Sequence, residues 1–454
     1  MKVLVINGSP KGDYSVTIQT VLYLKEMYPL DEFDILNVGQ KIRSIEKDFG
    51  GVIDKIKSSE CILFSYPVYT FLVPAQLHRF IELMKENNVD VSGKYFTQIT
   101  TSKHFYDVTA HRFISDNCLE MGMKQVRGLS SDMTDLLTEK GRKEATDFWE
   151  HFVFAVKNDY YDQDFRVKDP GQYIPVPATV ANAPETANKT GDIVVVTDLS
   201  SDDIQLKTMI DRFIMRVQYN VRVINIHDYV FHGGCLGCFK CAATGKCVYK
   251  DGFDDFLRNN IQTGDAIVYA FTIRDHSMGS RFKMFDDRQF CNGHRTVTMG
   301  RPLGYIISGA FSCETNLQMV LEGRVQVGGN VPVGIATDEQ DTDKEIDMLV
   351  ANLTYALENK YSQPSNFYGV GGMKIFRDLI YEMRGMMRAD HKFFKKHGQY
   401  DFPHKRKGNT IKMYLVGCLM KSKKIQAKMG NKINEGMIMP YKKVLDEVKK
   451  KKPQ

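Results

Sequence analysis

A chain of 454 residues, 43% hydrophobic and 26% charged, is long enough for two or three domains that each bury a core, and it has no low-complexity tract. The net charge of +6 is unevenly spread: residues 361–454 carry 22 Lys and Arg against 7 Asp and Glu, and the first 360 carry 39 against 48. That is two acidic domains with a basic tail rather than a uniformly basic protein, and no nucleic-acid-binding signature accompanies it.

The first 150 residues alternate short apolar runs with amphipathic stretches. Val3–Asn7, Phe33–Leu36, Cys61–Tyr66 and Tyr95–Thr100 read as strands, with helices near 15–27, 47–57, 74–86 and 108–121 and a closing helix over Thr138–Val156. Runs without polar alternation suit strands buried on both faces, so a parallel sheet with helices on each side is expected. Met1 and Lys2 lead straight into the first strand, leaving no room for a secretory leader, and Ile411–Met420 is too short to span a bilayer and contains Lys412. The cytoplasm is therefore the expected compartment. Residues 160–190, with Pro170, Pro175, Pro177 and Pro184, read as an extended linker.

The alternation restarts after the linker. Asp192–Thr197, Arg222–Ile226, Ala266–Phe271, Leu303–Ser308 and Val331–Ala336 read as strands, with helices over 202–217, 252–260, 312–322 and 342–358. The expected architecture is α/β: two tandem doubly wound parallel sheets over 1–159 and 191–360, followed by a basic helical tail over 361–454. In the tail, Gly371–Met387, Ile411–Met429 and Tyr441–Lys452 read as helices, interrupted at 398–403.

The first strand ends in Gly8-Ser9-Pro10-Lys11-Gly12-Asp13-Tyr14-Ser15-Val16-Thr17 and runs into a helix. Main-chain N–H groups at a helix start, with the hydroxyls of Ser9, Ser15 and Thr17, can surround one phosphate dianion, and the helix dipole favours it. The spacing matches neither the Walker loop nor the dinucleotide glycine pattern. A second segment, Ser65-Tyr66-Pro67-Val68-Tyr69, lies at the carboxyl end of the third strand, where doubly wound sheets bind ligands. Cys235, Cys238, Cys241 and Cys247 form C-x2-C-x2-C-x5-C. Four thiols packed so closely in a cytoplasmic chain point to metal or redox chemistry rather than disulfides, with an iron–sulfur cluster, zinc or redox-active thiols as the readings. Cys61, Cys118, Cys291, Cys313 and Cys418 are scattered and read as small buried side chains.

These three segments resemble the flavodoxin-like NAD(P)H-dependent FMN reductases, and especially their iron–sulfur flavoprotein branch. The resemblance covers roughly 1–155 and 191–340 and leaves the tail outside. It implies FMN on the first domain, with phosphate contacts from Ser9, Lys11, Ser15, the main chain of Val16, and Thr17. It further implies ring contacts from Pro67, Val68, Tyr69 and Thr70, and a third, looser loop beginning at Thr101 and Ser102. Val16 departs from the Asn usual there, which costs one polar contact. The resemblance also implies a [4Fe–4S] cluster on the cysteine quartet, with NAD(P)H or a low-potential carrier such as ferredoxin as electron source. A small acceptor such as a quinone or flavin, and flavin sites at subunit contacts in a homodimer or tandem pseudo-dimer, complete the expectation. The competing reading is a non-enzymatic electron carrier or flavin-binding partner protein.

The second domain has no phosphate loop: Asp198, Asp202 and Asp203 stand in its place and repel a dianion. Arg274, Arg281, Lys283, Asp286, Asp287 and Arg288, flanked by His276 and His294, read either as a solvated helix or as a dinucleotide phosphate site. His104, beside Tyr106, is a candidate proton donor to a reduced substrate. The basic tail has three readings: a membrane-surface segment, a dock for an acidic partner, or a face covering the protein's own acidic domains.

Overall fold

The computed structural model describes residues 1–68, 73–102, 104, 107–162, 173–180, 189–233, 238, 240–274, 278–402, 407–420 and 423–451. Two compact units result, one of Met1–Asp159 with Tyr400–Gln454 and the other of Tyr160–Gln399.

In the first unit the strands are β1 (Lys2–Asn7), β2 (Glu32–Leu36), β3 (Cys61–Pro67), β4 (Tyr95–Ser102), β5 (Lys124–Gln125) and β6 (Leu129–Asp132). They pair in parallel in the order β2-β1-β3-β4-β5, with β6 also beside β4. The register sets Ile6 opposite Phe64 and Pro67 opposite Thr101, so the loops that follow β1, β3 and β4 leave from one edge. Helices α1 (Val16–Met27), α2 (Val38–Ile45), α3 (Gly50–Ser58), α4 (Ala75–Glu86), α5 (Asp107–Glu120) and α6 (Glu139–Lys157) cover the faces. Leu4, Ile6, Ile62 and Phe64 meet Leu77, Phe80 and Ile114 in one core layer. On α6, Trp149 is fully buried, 4.8 Å from the Phe33 ring, and donates its Nε1–H to Asp31 at 2.9 Å. The sequence reading missed α2 and the β5–β6 strand. Both are short, and three of the four residues of β6, Leu-Ser-Ser-Asp, are polar, so neither presents the apolar run that marks the other elements.

In the second unit β7 (Asp192–Thr197), β8 (Asn220–Asn225), β9 (Ala266–Thr272), β10 (Pro302–Ser308) and β11 (Val331–Thr337) pair in the order β11-β10-β9-β7-β8. Read from the other edge this repeats the first sheet's order, all parallel, so the chain is two flavodoxin-like α/β domains in tandem. Its helices are α7 (Ile204–Arg216), α8 (Lys240–Thr244), α9 (Phe253–Phe256, continuing as a π turn), α10 (Gly279–Arg288), α11 (Thr315–Gly328) and α12 (Thr342–Asn359). The described part of the linker, 173–180, has no regular structure and is stitched to this unit: Val176 N–H donates to the Asp338 carbonyl at 2.8 Å and Thr179 N–H to Asp343 at 2.7 Å.

The basic tail is divided between the units. Helices α13 (Phe367–Glu382) and α14 (Arg388–Lys396) belong to the second. Gly369 and Gly372 let α13 lie against α11, where a Cβ would come within 2.8 Å of the Gln326 carbonyl oxygen and 2.7 Å of Val327. Asp390 on α14 is fully buried and accepts from the His294 N–H at 3.1 Å, with Arg295 at 3.3 Å. Helices α15 (Lys407–Met420) and α16 (Lys423–Lys451) belong to the first unit. One stripe of α16, Ile438, Tyr441 and Val444, is buried, with α16 packed along α1, and the Tyr441 hydroxyl donates to the Met133 carbonyl at 2.6 Å. The helix runs without interruption through Pro440, across the interval between the helices expected over Ile411–Met429 and Tyr441–Lys452. The buried stripe compensates for the one main-chain hydrogen bond that the proline removes. No helix among the described residues is long and apolar enough to cross a membrane.

Candidate functional site

The loop that follows β1 in the first unit is a built cradle. Asn7 holds it from beneath: its Oδ1 accepts the Ser9 N–H at 3.2 Å, and its Nδ2 donates to Asn37 at 2.8 Å. Asn37 in turn donates to Asp13 at 3.0 Å, tying the loop to the start of α2. A turn over Gly12–Tyr14 follows, with Gly12 at φ +54° and its N–H on the Ser9 carbonyl at 3.0 Å. Gly39 on α2 lies so close that a Cβ there would come within 2.2 Å of the Ser9 carbonyl group.

Helix α1 then starts at Val16 behind Ser15, whose side chain makes no capping bond, and its first turn carries no acid. The first N–H groups of a helix have no internal partner, so this start presents donors and a positive dipole end without a carboxylate to oppose an anion. Ser9, Ser15 and Thr17 are all buried around it, and Thr17 shares a 2.7 Å hydroxyl contact with Thr101 at the end of β4. Ser65, at the end of β3, has a buried hydroxyl without a hydrogen-bond partner among the described residues. The donor set and the unused hydroxyl fit a phosphomonoester. Pro67 and Val68 are half-buried at the end of β3, whereas Tyr69 and Thr70 lie outside the described residues.

The third loop contains a side-chain network that sequence reasoning missed. Ser102 accepts the His104 N–H at 2.8 Å, holding His104 at φ +55°. The His104 Nδ1 meets Asp107 at 3.0 Å, and Ser130 donates to the same carboxylate oxygen at 2.7 Å. Burial alone would raise the Asp107 carboxyl, but the bonds from His104 and Ser130 outweigh it and hold it below its ordinary value. His111, bonded to Thr100 at 2.8 Å, is pushed down to about 4 by burial and is neutral at pH 7. A carboxylate three residues after a histidine at a strand end was the available signal, and Asn7, Asn37 and Gly39 could have been read from their place after β1 and β2.

The corresponding edge of the second unit is occupied by its own acids. Asp338 accepts from Ser308 at 2.6 Å and from the Gly309 N–H at 3.0 Å. Glu345 accepts the Thr337 N–H at 2.6 Å, and burial pushes its carboxyl up to about 8. Burial, then the charge of Asp203, raises Asp198 to about 6. Asp203 is bound by Arg274 at 2.8 Å, and Asp202 is exposed. An anion would meet carboxylates here, as the sequence implied.

Of the cations read as a dinucleotide phosphate site, Arg274, Arg281 and Arg288 are bonded within the protein, and the Lys283 side chain lies outside the described residues. Arg281 donates to the carbonyls of Ile226 and His227, Arg324 pairs with Asp286, and Arg288 is buried against Asp251 at 2.8 Å, its guanidinium 4.5 Å from the Tyr249 ring centroid. His276 lies outside the described residues, and His294 is bonded to Asp390 at 2.9 Å.

The cysteine segment follows β8. Cys238 is exposed, Cys241 and Cys247 are half-buried, and Cys235 lies outside the described residues. The backbone is clamped: Arg258 donates to the Gly245 carbonyl at 2.6 Å, Asp254 accepts the Cys247 N–H at 2.6 Å, and Arg288 reaches the Gly233 carbonyl at 2.9 Å. Among the described residues, which leave out Cys235, no three His, Cys, Asp or Glu side chains converge as a metal site.

A 2-1-3-4-5 parallel sheet with an uncapped, acid-free helix behind its first strand defines a flavodoxin-like protein, and residues 1–107 match the family model described as a flavodoxin-like fold. Over 173 residues, 36% of this chain and 78% of the relative, the sequence is 30% identical to an iron–sulfur flavoprotein of Archaeoglobus fulgidus. The chain belongs to the iron–sulfur flavoprotein family. Solved structures with a similar fold include FerB, a flavoenzyme NAD(P)H:(acceptor) oxidoreductase of Paracoccus denitrificans, at 18% identity and TM-score 0.29 over 35% of this chain and 98% of that one. Another is an FMN-dependent NADH-azoreductase of Bacillus anthracis, at 15% identity and TM-score 0.26 over 35% and 98%.

Proposed function

We propose that the chain is an FMN-dependent oxidoreductase that passes electrons from NAD(P)H or a low-potential carrier to a small acceptor such as a quinone or flavin. The observation that carries this reading is the uncapped, acid-free start of α1 above the buried hydroxyls of Ser9 and Thr17. Bound FMN supplies the redox chemistry, exchanging two electrons with a pyridine nucleotide and one or two with an acceptor. Ser9, Ser15, Thr17 and the first N–H groups of α1 would hold its phosphate, with Lys11 adding a positive charge. Pro67 and Val68 would offer an apolar wall to the ring, and Thr101 and Ser102 would bound it from β4.

Purified protein should show flavin absorption, and Ser9→Asp with Thr17→Asp should abolish it by setting two carboxylates against the phosphate. Anaerobic stopped-flow mixing with NADPH or NADH should bleach the flavin. Reduction by ferredoxin or dithionite alone would instead favour a non-enzymatic carrier. Flavin retained in the double variant would refute the site.

The quartet Cys235, Cys238, Cys241 and Cys247 is proposed as a [4Fe–4S] ligand set. Its support is family membership and the all-thiol donor set, and no electron-transfer step is derived through it. Anaerobically reconstituted protein should hold about four irons per chain. Cys238→Ala should lose them and keep FMN.

A further inference from the structure

Helix α15 is the least covered element of the first unit. Every side chain from Lys407 to Cys418 is exposed, and Ile411, Met413, Tyr414, Leu415 and Val416 are 42% to 74% accessible. At about 100° per residue these five positions surround the helix rather than forming one stripe. This differs from α16, whose apolar stripe is already seated on its own unit.

The charge around α15 has one sign. From Phe402 to Asn434 the chain holds nine Lys and Arg and no Asp or Glu: Lys405, Arg406 and Lys407 precede the apolar run, Lys412 lies within it, and Lys421, Lys423, Lys424, Lys428 and Lys432 follow. We propose that α15 and the basic start of α16 form a peripheral seat on an anionic lipid bilayer. At 14 residues α15 is about 21 Å long, shorter than the roughly 30 Å hydrocarbon core, so it lies in the interface and does not span it. Apolar side chains enter the acyl boundary while the flanking amines stay among the headgroups. An acidic protein or a nucleic acid would neutralise the lysines but leave part of the apolar circumference in water. A bilayer interface meets both, because the acyl boundary takes up apolar side chains along the helix's length while anionic headgroups attract the flanking amines.

Flotation of the full chain with vesicles tests this without a redox readout. Vesicles of phosphatidylcholine with about 30 mol% phosphatidylserine should bind at least about tenfold more protein than phosphatidylcholine alone, and about 0.5 M salt should remove most of the difference. Ile411→Ser with Tyr414→Ser and Leu415→Ser should lower binding about 30-fold or more, and its unfolding temperature should stay unchanged because these side chains face solvent. Lys423→Glu with Lys424→Glu and Lys428→Glu should abolish the preference for anionic vesicles. Absent binding, equal binding to both vesicle types, or binding unaffected in both variants would overturn the proposal. So would a concentration-dependent dimer that the serine variant dissolves, since a second copy would then be the occupant.

Discussion

Gly39→Ala tests the phosphate cradle without touching a candidate ligand. The new methyl would sit 2.2 Å from the Ser9 carbonyl carbon and oxygen and 2.7 Å from the Gly8 carbonyl oxygen. All three are main-chain atoms, so no rotamer change relieves the clash. Restoring an ordinary 3.4 Å contact requires the loop and α2 to separate by about 1.2 Å. Overpacking of this kind costs about 1–3 kcal/mol of stability. A shift of that size breaks the alignment of one or two charge-assisted bonds to a phosphate, each about 1.5–3 kcal/mol, which weakens FMN binding by roughly 10- to 20,000-fold. Titration of apoprotein by flavin fluorescence quenching measures this, with riboflavin as the comparison that lacks the phosphate. Gly51→Ala is the control: nothing lies within 4 Å of its Cβ position on α3, and it should leave FMN binding unchanged while stabilising the helix by about 0.5–1 kcal/mol. If Gly39→Ala binds FMN within about twofold of the parent and unfolds at the same temperature, the cradle is misassigned.

Glu345→Gln should flatten the pH dependence of the second unit. With its folded pKa near 8, the parent holds a proton that the unfolded chain has released above about 4.5, so stability is full below that pH and falls by up to about 1.4 kcal/mol per unit until pH 8. Calorimetry at pH 5 and 8.5 should show the variant gaining on the parent only at the higher pH; parallel curves would refute this. Arg288→Met leaves Asp251 buried without its cation and should cost about 3–5 kcal/mol in denaturant unfolding of the second unit. Tyr441→Phe removes only the bond to the Met133 carbonyl and should cost about 1 kcal/mol, seen as a small drop in the denaturant midpoint of the first unit.

Much of the fold was legible in the chain itself. The nine strands appear within two residues of their expected limits. Central strands such as β1 and β7 are nearly continuously apolar because both faces are buried, whereas the edge strands β2 and β8 mix apolar with charged residues and were legible from their place in the strand–helix alternation. The loop after β1 was legible for a similar reason: Gly8 to Thr17 is a local turn into a helix, set by consecutive residues. The loss of that loop from the second domain was equally visible in Asp198, Asp202 and Asp203.

Tertiary structure decided what depends on distant residues meeting. Nothing near Gly39 announces that it lies against Ser9, and nothing near Asp107 announces that Ser130 shares its carboxylate with His104. The spacing of the cysteines was evident, but whether thiols converge depends on how far apart the chain holds them. The tail shows the division most clearly. Its charge and helicity came from composition, yet Asp390 carries α14 into the second unit, Tyr441 seats α16 on the first, and α15 stays in solvent. Local sequence encodes period and breaks, because those act through neighbouring backbone. The seat of a helix depends on the surface that meets it, and here that surface was built by residues hundreds of positions away.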